Sequence, residues 1–414
     1  MATLRERVAQ KKREAIDRAT TAMPAVEDIN SPCTEHELWA VRPLPGRGLG
    51  CIALTDLTLG TRVLAEPPLT VEGPGLPTID RAVEALTAAD RSRFFALAQE
   101  VRLYGQTKSI EGIVGTNGIP FEVDGEEYGG IFPRASRFNH SCDANTIYSY
   151  NAALGMLTVH AARNVSAGEE LTFNYLPPFT DSLSPSINFR VGCHETLTEA
   201  LPLGSAKTLR QQHLCAAFGF DCSCTKCSLT GEDLARSEER VRVIGDDASL
   251  AAAWAHRLAS PRSAPSDDTE ALLRHLETRY RLAKEEYPEG HHCGVDRMLR
   301  LHVELCDSAA SLHHGAGKSQ ASLCSAFGQA AHNWARMARD TTLEIAGADS
   351  PAYMAWTKVL EQDCWRLSGP DLERPSFAFV WTAACKEGTP PQAWMIYAGS
   401  DGAGTHRSAS TAND

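Results

Sequence analysis

The alternation of apolar and polar residues divides the chain into a strand-rich first half and a helical second half. β-Forming residues follow Cys51, turn signals stand at Asp56 and Gly60, and a second β-forming run covers Thr61–Glu66. This pattern predicts two strands joined by a turn. Between Asp80 and Leu103 the apolar positions adopt helical spacing instead, which predicts a helical insert within the strand-rich region.

Helical spacing dominates after Ser237, and a Ser- and Pro-rich stretch from Ser260 to Asp268 reads as a linker. Between Ala346 and Pro351 the residues predict a helix end, a turn and a new helix start. The predicted helices form antiparallel pairs typical of a short helical-repeat array, although no strict period repeats. They are Glu270–Glu286, Cys293–His313, Ser322–Ala346 and Pro351–Trp365.

The composition narrows the class of protein. The chain has 414 residues, 43% of them hydrophobic and 22% charged, as in ordinary soluble globular proteins of two or three domains. No apolar run reaches membrane-spanning length, so we expect no membrane association. A net charge of −12 argues against direct nucleic-acid binding and favours basic protein partners.

Three cysteines stand close together as Cys222, Cys224 and Cys227. The chain begins without a secretory pattern and carries 13 cysteines, an odd number, so we expect a reducing intracellular compartment, the nucleus or the cytoplasm or both. Buried or redox thiols are the plainer interpretation, but the compact spacing favours three thiolate ligands of a tetrahedral zinc ion. The fourth ligand must come from elsewhere, and the candidates are Cys142, Cys193, Cys215 and His213.

A Gly-x-Gly-x-Gly motif at Gly46-Arg-Gly-Leu-Gly50 has two interpretations. In a dinucleotide-binding loop it would precede a helix, whereas here a strand follows, so that interpretation is weak. A simple turn between strands explains the glycines alone.

Two further motifs carry candidate chemistry. Ser136-Arg-Phe-Asn-His-Ser-Cys142 contains an adjacent Asn139 and His140, and Gly168-Glu-Glu-Leu-Thr-Phe-Asn-Tyr175 ends in a tyrosine. Taken singly, His140 fits a structural histidine and Tyr175 a half-buried strand aromatic. Phe220, just before the cysteines, fits a core aromatic equally well.

In this order and spacing, the four motifs resemble the catalytic core of SET-domain protein lysine methyltransferases over about residues 40 to 228. The segment from Ala338 to Pro351 resembles the C-terminal helical domain of the SMYD branch. The cysteine-rich MYND zinc finger of that branch is missing, because residues 52 to 141 contain no cysteine.

The resemblance implies S-adenosylmethionine and Zn²⁺ as cofactors and a protein lysine as substrate. It implies that Tyr175 is catalytic, that Phe173 lines the lysine channel and weakly favours di- or trimethylation, and that Cys142 completes the zinc site. The cofactor-binding residues that it implies are Arg47, Gly48, Leu49, Asn117, Asn139, His140, Tyr175 and Phe220.

We therefore predict an α+β fold in which SET-domain β-sheets with a pseudoknot and a post-SET zinc site precede an all-α, TPR-like C-terminal domain. The alternative functions are a non-catalytic scaffold that binds protein partners through the C-terminal helices, and a methyltransferase with another acceptor. The predicted units are an N-terminal charged helix (1–35), the SET domain (36–228) with a helical insert (about 80–105) and a post-SET zinc segment (210–228), a linker with helical stretches (229–269), a helical domain (270–398) and a disordered tail (399–414).

Overall fold

The computed structural model describes residues 37–123, 126–176, 207–244, 267–287 and 321–361. The predicted N-terminal helix, the predicted helix Cys293–His313 and the predicted tail lie outside these residues, as does the candidate ligand Cys193.

Among the described residues up to 176, ten strands form three small sheets, so the α+β class is confirmed. The first sheet has the order β1-β2-β10-β7, the second β3-β9-β8 and the third β4-β6-β5. The strands are β1 (Trp39–Leu44), β2 (Gly48–Ala53), β3 (Arg62–Glu66), β4 (Thr70–Glu72), β5 (Gly118–Val123), β6 (Glu126–Ile131), β7 (Asn139–His140), β8 (Thr146–Asn151), β9 (Met156–Ala161) and β10 (Glu170–Phe173).

Four short helices lie between β4 and β5, where the sequence predicted helical structure from Asp80 to Leu103. They are α1 (Ile79–Glu84), α2 (Ala88–Ala96), α3 (Val101–Tyr104) and α4 (Ile110–Asn117). Local capping divides the predicted helical stretch into separate helices. The Thr87 side chain accepts a hydrogen bond from the Asp90 backbone, and the Glu100 side chain accepts one from the Arg102 backbone. Such side chains satisfy the free N–H groups of a new helix start, so each favours a restart over continuation.

Six helices follow the sheets in the described residues. They are α5 (Lys207–Phe218), α6 (Thr225–Ser228), α7 (Gly231–Ile244), α8 (Asp267–Glu286), α9 (Ala321–Ala346) and α10 (Pro351–Glu361). The last three start within three residues of their predicted starts, whereas no boundaries were predicted for the first three. The predicted stop between α9 and α10 is confirmed, with Gly347 at φ 86° directly after α9. No helix in these ranges is long and apolar enough to cross a membrane.

A continuous apolar core holds the three sheets together. Trp39 is fully buried at its centre, its ring lies edge-on to Phe138 with centroids 5.5 Å apart, and its indole N–H donates to the Val63 carbonyl at 2.8 Å. Phe138 also stacks on Phe173 at 5.7 Å. Since Phe138 precedes β7 and Phe173 ends β10, this core fixes the two segments that carry the candidate site.

Candidate functional site

The ends of β7 and β10 lie side by side and bring the two central motifs together. The strands pair in parallel, with Thr172 opposite Asn139 and Phe173 opposite His140. Tyr175 follows β10 by two residues and its backbone N–H donates to His140 Nδ1 at 3.0 Å. Two motifs that stand 35 residues apart in the chain therefore form one site.

Both ring nitrogens and the carbonyl oxygen of His140 have partners within the protein. Its Nδ1 accepts the Tyr175 N–H, so the proton of the neutral ring lies on Nε2, which is 3.3 Å from Cys142 Sγ. Burial lowers the pKa of the imidazole, which keeps the ring neutral near pH 7. Its carbonyl oxygen accepts from an Arg47 Nη at 2.8 Å. The ring thus connects the cysteine cluster to the tyrosine segment.

Tyr175 lies among aromatic rings with its hydroxyl fixed. The hydroxyl donates to the Phe138 carbonyl at 2.8 Å. The ring centroids of Phe218, His140, Phe173 and Phe220 lie 5.1, 5.3, 5.6 and 6.4 Å from that of Tyr175. Burial raises the pKa of the Tyr175 hydroxyl, so it remains protonated at neutral pH while its oxygen lone pairs stay able to accept.

The glycine motif lies in the hairpin turn between β1 and β2. Gly46 and Gly48 adopt φ of 71° and 70°, which other residues rarely do. Gly50 serves a close approach, since a side-chain carbon there would stand 2.8 Å from Asn139 Nδ2 and 3.0 Å from Glu170 Oε1. The missing side chain therefore leaves room for Glu170 on β10 and Asn139 on β7 against this strand.

Glu170 aligns two of the predicted cofactor-binding residues. Its Oε2 accepts from Arg47 Nη at 2.8 Å and its Oε1 accepts from Asn139 Nδ2 at 2.9 Å. Asn139 Nδ2 also donates to the Leu49 carbonyl at 3.1 Å. Sequence reasoning passed over Glu170, although its place in the Gly-Glu-Glu-Leu motif was the available signal.

Asn117 lies at the end of α4, and its backbone carbonyl contacts Ser136, three residues before the candidate Asn139. Its amide donates to the Ala98 and Ile113 carbonyls, both at 2.7 Å, and its own carbonyl accepts from Ser136 Oγ at 3.3 Å. These bonds occupy the amide nitrogen, and its predicted cofactor contact stays a prediction.

Four sulfur atoms meet beside His140, from Cys142, Cys222, Cys224 and Cys227. All four lie within 4.8 Å of one another, with 3.7 Å between Cys142 and Cys227 and 4.0 Å between Cys142 and Cys222. Four thiolates around a tetrahedral zinc ion would stand about 3.8 Å apart, given zinc–sulfur bonds of about 2.3 Å. A disulfide requires about 2.05 Å, so the separations fit a metal and not a disulfide.

The other candidates for the fourth ligand differ in their placement. Cys215 is exposed on α5, and His213, on the same helix, is outside the group of four ligand atoms. Of the candidates in the described residues, Cys142 is the one that completes the cluster.

One buried residue beside this cluster was missed from the sequence. Arg210 shares a face of α5 with Leu214 and Ala217, and all three are buried. A cation at the spacing of an apolar stripe is the signal that could have identified it.

Comparison with known proteins agrees with these observations. The SET domain family profile matches residues 48–176. Histone-lysine N-methyltransferase set5 of Schizosaccharomyces pombe is 29% identical over 262 residues, which cover 61% of this chain and 67% of that protein. Mouse protein-lysine N-methyltransferase SMYD4 is 34% identical over 177 residues, 43% of this chain but 18% of that protein.

A third relative, mouse histone-lysine N-methyltransferase SMYD3, is 33% identical over 104 residues, which cover 25% of this chain and 18% of that protein. The chain thus spans two thirds of the yeast relative but less than a fifth of the two mouse relatives. The domain match and the motif residues agree that residues 48–176 form a SET domain, and the relatives that share this part of the chain are named as lysine N-methyltransferases.

Proposed function

We propose that this chain transfers a methyl group from S-adenosylmethionine to the side-chain amine of a protein lysine, with Tyr175 as the catalytic residue. The observation that supports it most is the joining of Asn139, His140 and Tyr175 through β7 and β10, since this brings the proposed cofactor and amine sites together. When bound, S-adenosylmethionine supplies an electrophilic methyl group on a sulfonium.

Tyr175 orients the amine. The Tyr175 hydroxyl already donates its hydrogen bond to the Phe138 carbonyl, so its oxygen is left to accept an N–H of the incoming lysine. This hydrogen bond directs the nitrogen lone pair away from the tyrosine. Fixing two reactants in line accounts for much of the rate in a transfer of this kind. The surrounding rings exclude water from the approach path.

The cofactor site uses the residues that Glu170 holds. Asn139 and Arg47 are oriented by its carboxylate, and His140 presents its backbone from a ring fixed on both sides. Gly48, Leu49 and Asn117 line the remaining approaches, and Phe220, whose ring centroid is 5.7 Å from that of His140, offers an apolar face to the cofactor's aromatic base.

Phe173 sets the width of the lysine channel. It is buried, stacks on Phe138 and has Tyr148 edge-on at 5.1 Å. A phenylalanine there provides no hydroxyl to hold a water beside the amine, which favours transfer of two or three methyl groups over one.

Cys142, Cys222, Cys224 and Cys227 would hold one zinc ion, as a post-SET site. The metal would join the β7 segment to α6 and so contribute to folding of the site, not to the methyl transfer itself. Elemental analysis of the purified protein should give one zinc per chain, and Cys142→Ser should lose the metal. No zinc, or two per chain, would contradict this assignment.

The C-terminal helices, a TPR-like array in this proposal, would offer a surface to protein partners. Two relatives are named histone-lysine methyltransferases, and a net charge of −12 suits a substrate as basic as a histone.

The central test uses the purified chain, S-adenosylmethionine and core histones or lysine-rich peptides, with mass spectrometry of the products. Methylated lysine is the expected product. Asn139→Ala should abolish cofactor binding in calorimetry, while Asn164→Ala, a surface asparagine whose Oδ1 accepts from the Leu59 backbone, should not. Cofactor binding without transfer to any protein lysine would favour the scaffold, and a methylated group other than lysine would overturn the acceptor.

A further inference from the structure

Arg210 is a buried cation one helical turn before a residue that packs on the cysteine cluster. Leu214 belongs to the same apolar cluster as Cys142, Cys222 and Cys227, and Arg210 lies on the same face of α5 at 7% exposure. Next to Arg210, Gln211 donates from Nε2 to the Cys222 carbonyl at 3.3 Å. This face of α5 therefore covers the cluster directly.

The guanidinium contacts two of the four sulfur atoms. Arg210 hydrogen-bonds to the side chains of Cys142 and Cys227, which belong to different segments of the chain. Arginine offers several N–H donors in a rigid plane, so one side chain can donate to two sulfurs at once.

A four-thiolate zinc centre carries a charge that needs an offset. Four thiolates and one divalent ion leave a net charge of about −2. Cys142, Cys222 and Cys227 are 1%, 6% and 4% exposed, so water can offset little of it. A buried charge of this size is costly without a partner of opposite sign.

The other groups at the cluster do not supply this offset in full. His140 Nδ1 accepts the Tyr175 N–H, so the ring approaches Cys142 as a neutral donor and contributes a dipole and no charge. Lys226 lies between Cys224 and Cys227 in the chain, but its ammonium is directed to the Glu286 carboxylate, 2.7 Å away, which offsets part of its charge.

We propose that Arg210 is a positioning residue of the metal centre: its guanidinium offsets the excess negative charge of the four thiolates and so determines how tightly zinc is held. The inference rests on the zinc site proposed above. It extends that site to a residue outside the ligand set.

Arg210→Met tests the charge, because methionine keeps an unbranched chain and removes every donor. We expect zinc affinity, measured by competition with a chromogenic chelator, to fall by about 10- to 100-fold, as for other partners of metal ligands. Arg210→Lys retains the charge and loses the planar fork, so its loss should be smaller. If the methionine variant does not fold, Arg210→Gln decides, because glutamine removes the charge and keeps an N–H donor. Wild-type zinc affinity in that variant would contradict the proposal.

Arg279→Met is the matched control. Arg279 is buried as well, but it donates to the Ile244 carbonyl on α7. We expect this variant to lose thermal stability and to keep wild-type zinc affinity. An equal loss of zinc in both variants would mean that general destabilisation releases the metal, and would overturn the specific role of Arg210.

Substitution of cobalt for zinc reports the electron density on the sulfur atoms, through their charge-transfer bands. Removal of donors from a thiolate raises its electron density, so the thiolate-to-cobalt charge-transfer bands of Arg210→Met should shift to lower energy, while those of Arg279→Met stay in place. Unshifted bands together with unchanged zinc affinity in Arg210→Met would overturn this inference alone. A wild-type protein that binds no zinc would overturn the metal site and this inference with it.

Discussion

At the scale of single residues, the site depends on polar atoms that serve two contacts at once. His140 connects Tyr175 to Cys142, and Glu170 connects Arg47 to Asn139. The sequence motifs identified most of these residues as candidates for the site. Their pairings could not be inferred, because Arg47 and Glu170 are 123 positions apart and only the fold brings them together.

The first prediction concerns the Tyr175 hydroxyl. Tyr175→Phe removes one oxygen and nearly no volume, so packing against Phe173 and Phe218 should survive. We expect the maximal rate of methyl transfer to fall about a hundredfold, since loss of one positioned polar contact costs on the order of 3 kcal/mol. The measurement is transfer at saturating cofactor, with cofactor affinity measured on the same protein.

Tyr150→Phe is the control for that change. Tyr150 is also buried, but it stacks on Phe121 with centroids 4.1 Å apart, and Phe121 belongs to the third sheet. Its variant should keep the wild-type rate. A Tyr175→Phe protein that turns over normally would remove the hydroxyl from the mechanism.

The second prediction concerns Glu170. Glu170→Gln keeps the shape, but it removes the charge and turns one of the two accepting oxygens into a donor. Arg47 and Asn139 therefore lose their shared acceptor and their fixed orientation. We expect cofactor affinity to weaken about tenfold, with the rate at saturating cofactor nearly unchanged. Calorimetry and initial rates separate the two effects.

The neighbouring carboxylate supplies the comparison. Glu169 accepts from Asn145 at 2.9 Å and pairs with Arg163, away from Arg47 and Asn139. Glu169→Gln should therefore leave cofactor affinity unaltered. If both variants lose affinity for the cofactor equally, the loss comes from a general disturbance of the segment at the start of β10 and not from the alignment of Arg47 and Asn139 by Glu170.

At the scale of elements, the helices that follow the cysteines brace the cluster. Glu286, at the end of α8, is 3% exposed as a side chain and accepts from Lys226 at 2.7 Å, from Arg240 at 2.8 Å and from Ser237 at 2.6 Å. Tyr287 lies under the Lys226 ammonium at 3.8 Å from the ring centroid. One carboxylate thus joins α6, α7 and α8 next to the proposed metal.

Removal of that carboxylate is the third prediction. Glu286→Gln leaves the charges of Lys226 and Arg240 partly buried without their counter-ion, which typically costs about 3 kcal/mol. Thermal unfolding should start at a markedly lower temperature. Glu285→Gln, which breaks only the exposed pair with Arg281, should change the unfolding temperature little. Equal shifts in the two variants would contradict a bracing role for Glu286.

Whether the sequence predicts the boundaries of a helix depends on the kind of residue that ends the helix. Periodicity located α9 and α10, because the apolar stripe stops at a glycine and restarts at Pro351. In the insert, the same apolar spacing continues across Thr87 and Glu100, and only the capping hydrogen bonds reveal separate helices. Side-chain capping competes locally with continuation of the helix, and the apolar periodicity does not show where capping ends the helix.

At the scale of the whole molecule, a cluster of four polar residues fixes the turn after α9 against the second sheet. Arg62 on β3 contacts Asp349 through two hydrogen bonds of 2.5 and 3.1 Å, and its Nε donates to His160 Nε2 at 3.1 Å. Asn151 donates to the Asp349 carbonyl at 3.3 Å. Arg62 and Asp349 are 287 residues apart, so no local pattern in the sequence predicts this docking.

The last prediction is the pH dependence of this docking. Burial and then the Arg62 guanidinium lower the pKa of His160 to about 4, with Asp349 opposing them, because a protonated ring would place a second donor against Arg62 Nε. The unfolded chain binds this proton at its ordinary pKa of about 6.5. Between about pH 6.5 and 4 the unfolded state therefore binds more protons, so stability from His160 is fully present above that window and is lost as pH falls.

A comparison of wild type with His160→Gln isolates this contribution from other acid-sensitive groups such as His140. Glutamine stays neutral and can still accept from Arg62 through its amide oxygen. On lowering pH from 7.5 to 5, the free energy of unfolding in urea should fall by about 2 kcal/mol more for wild type than for the variant. Hydrogen exchange should place the added loss in α9 and α10. Equal pH dependence in the two proteins would show that His160 titrates alike in the folded and unfolded chain, and that this docking is insensitive to pH between 7.5 and 5.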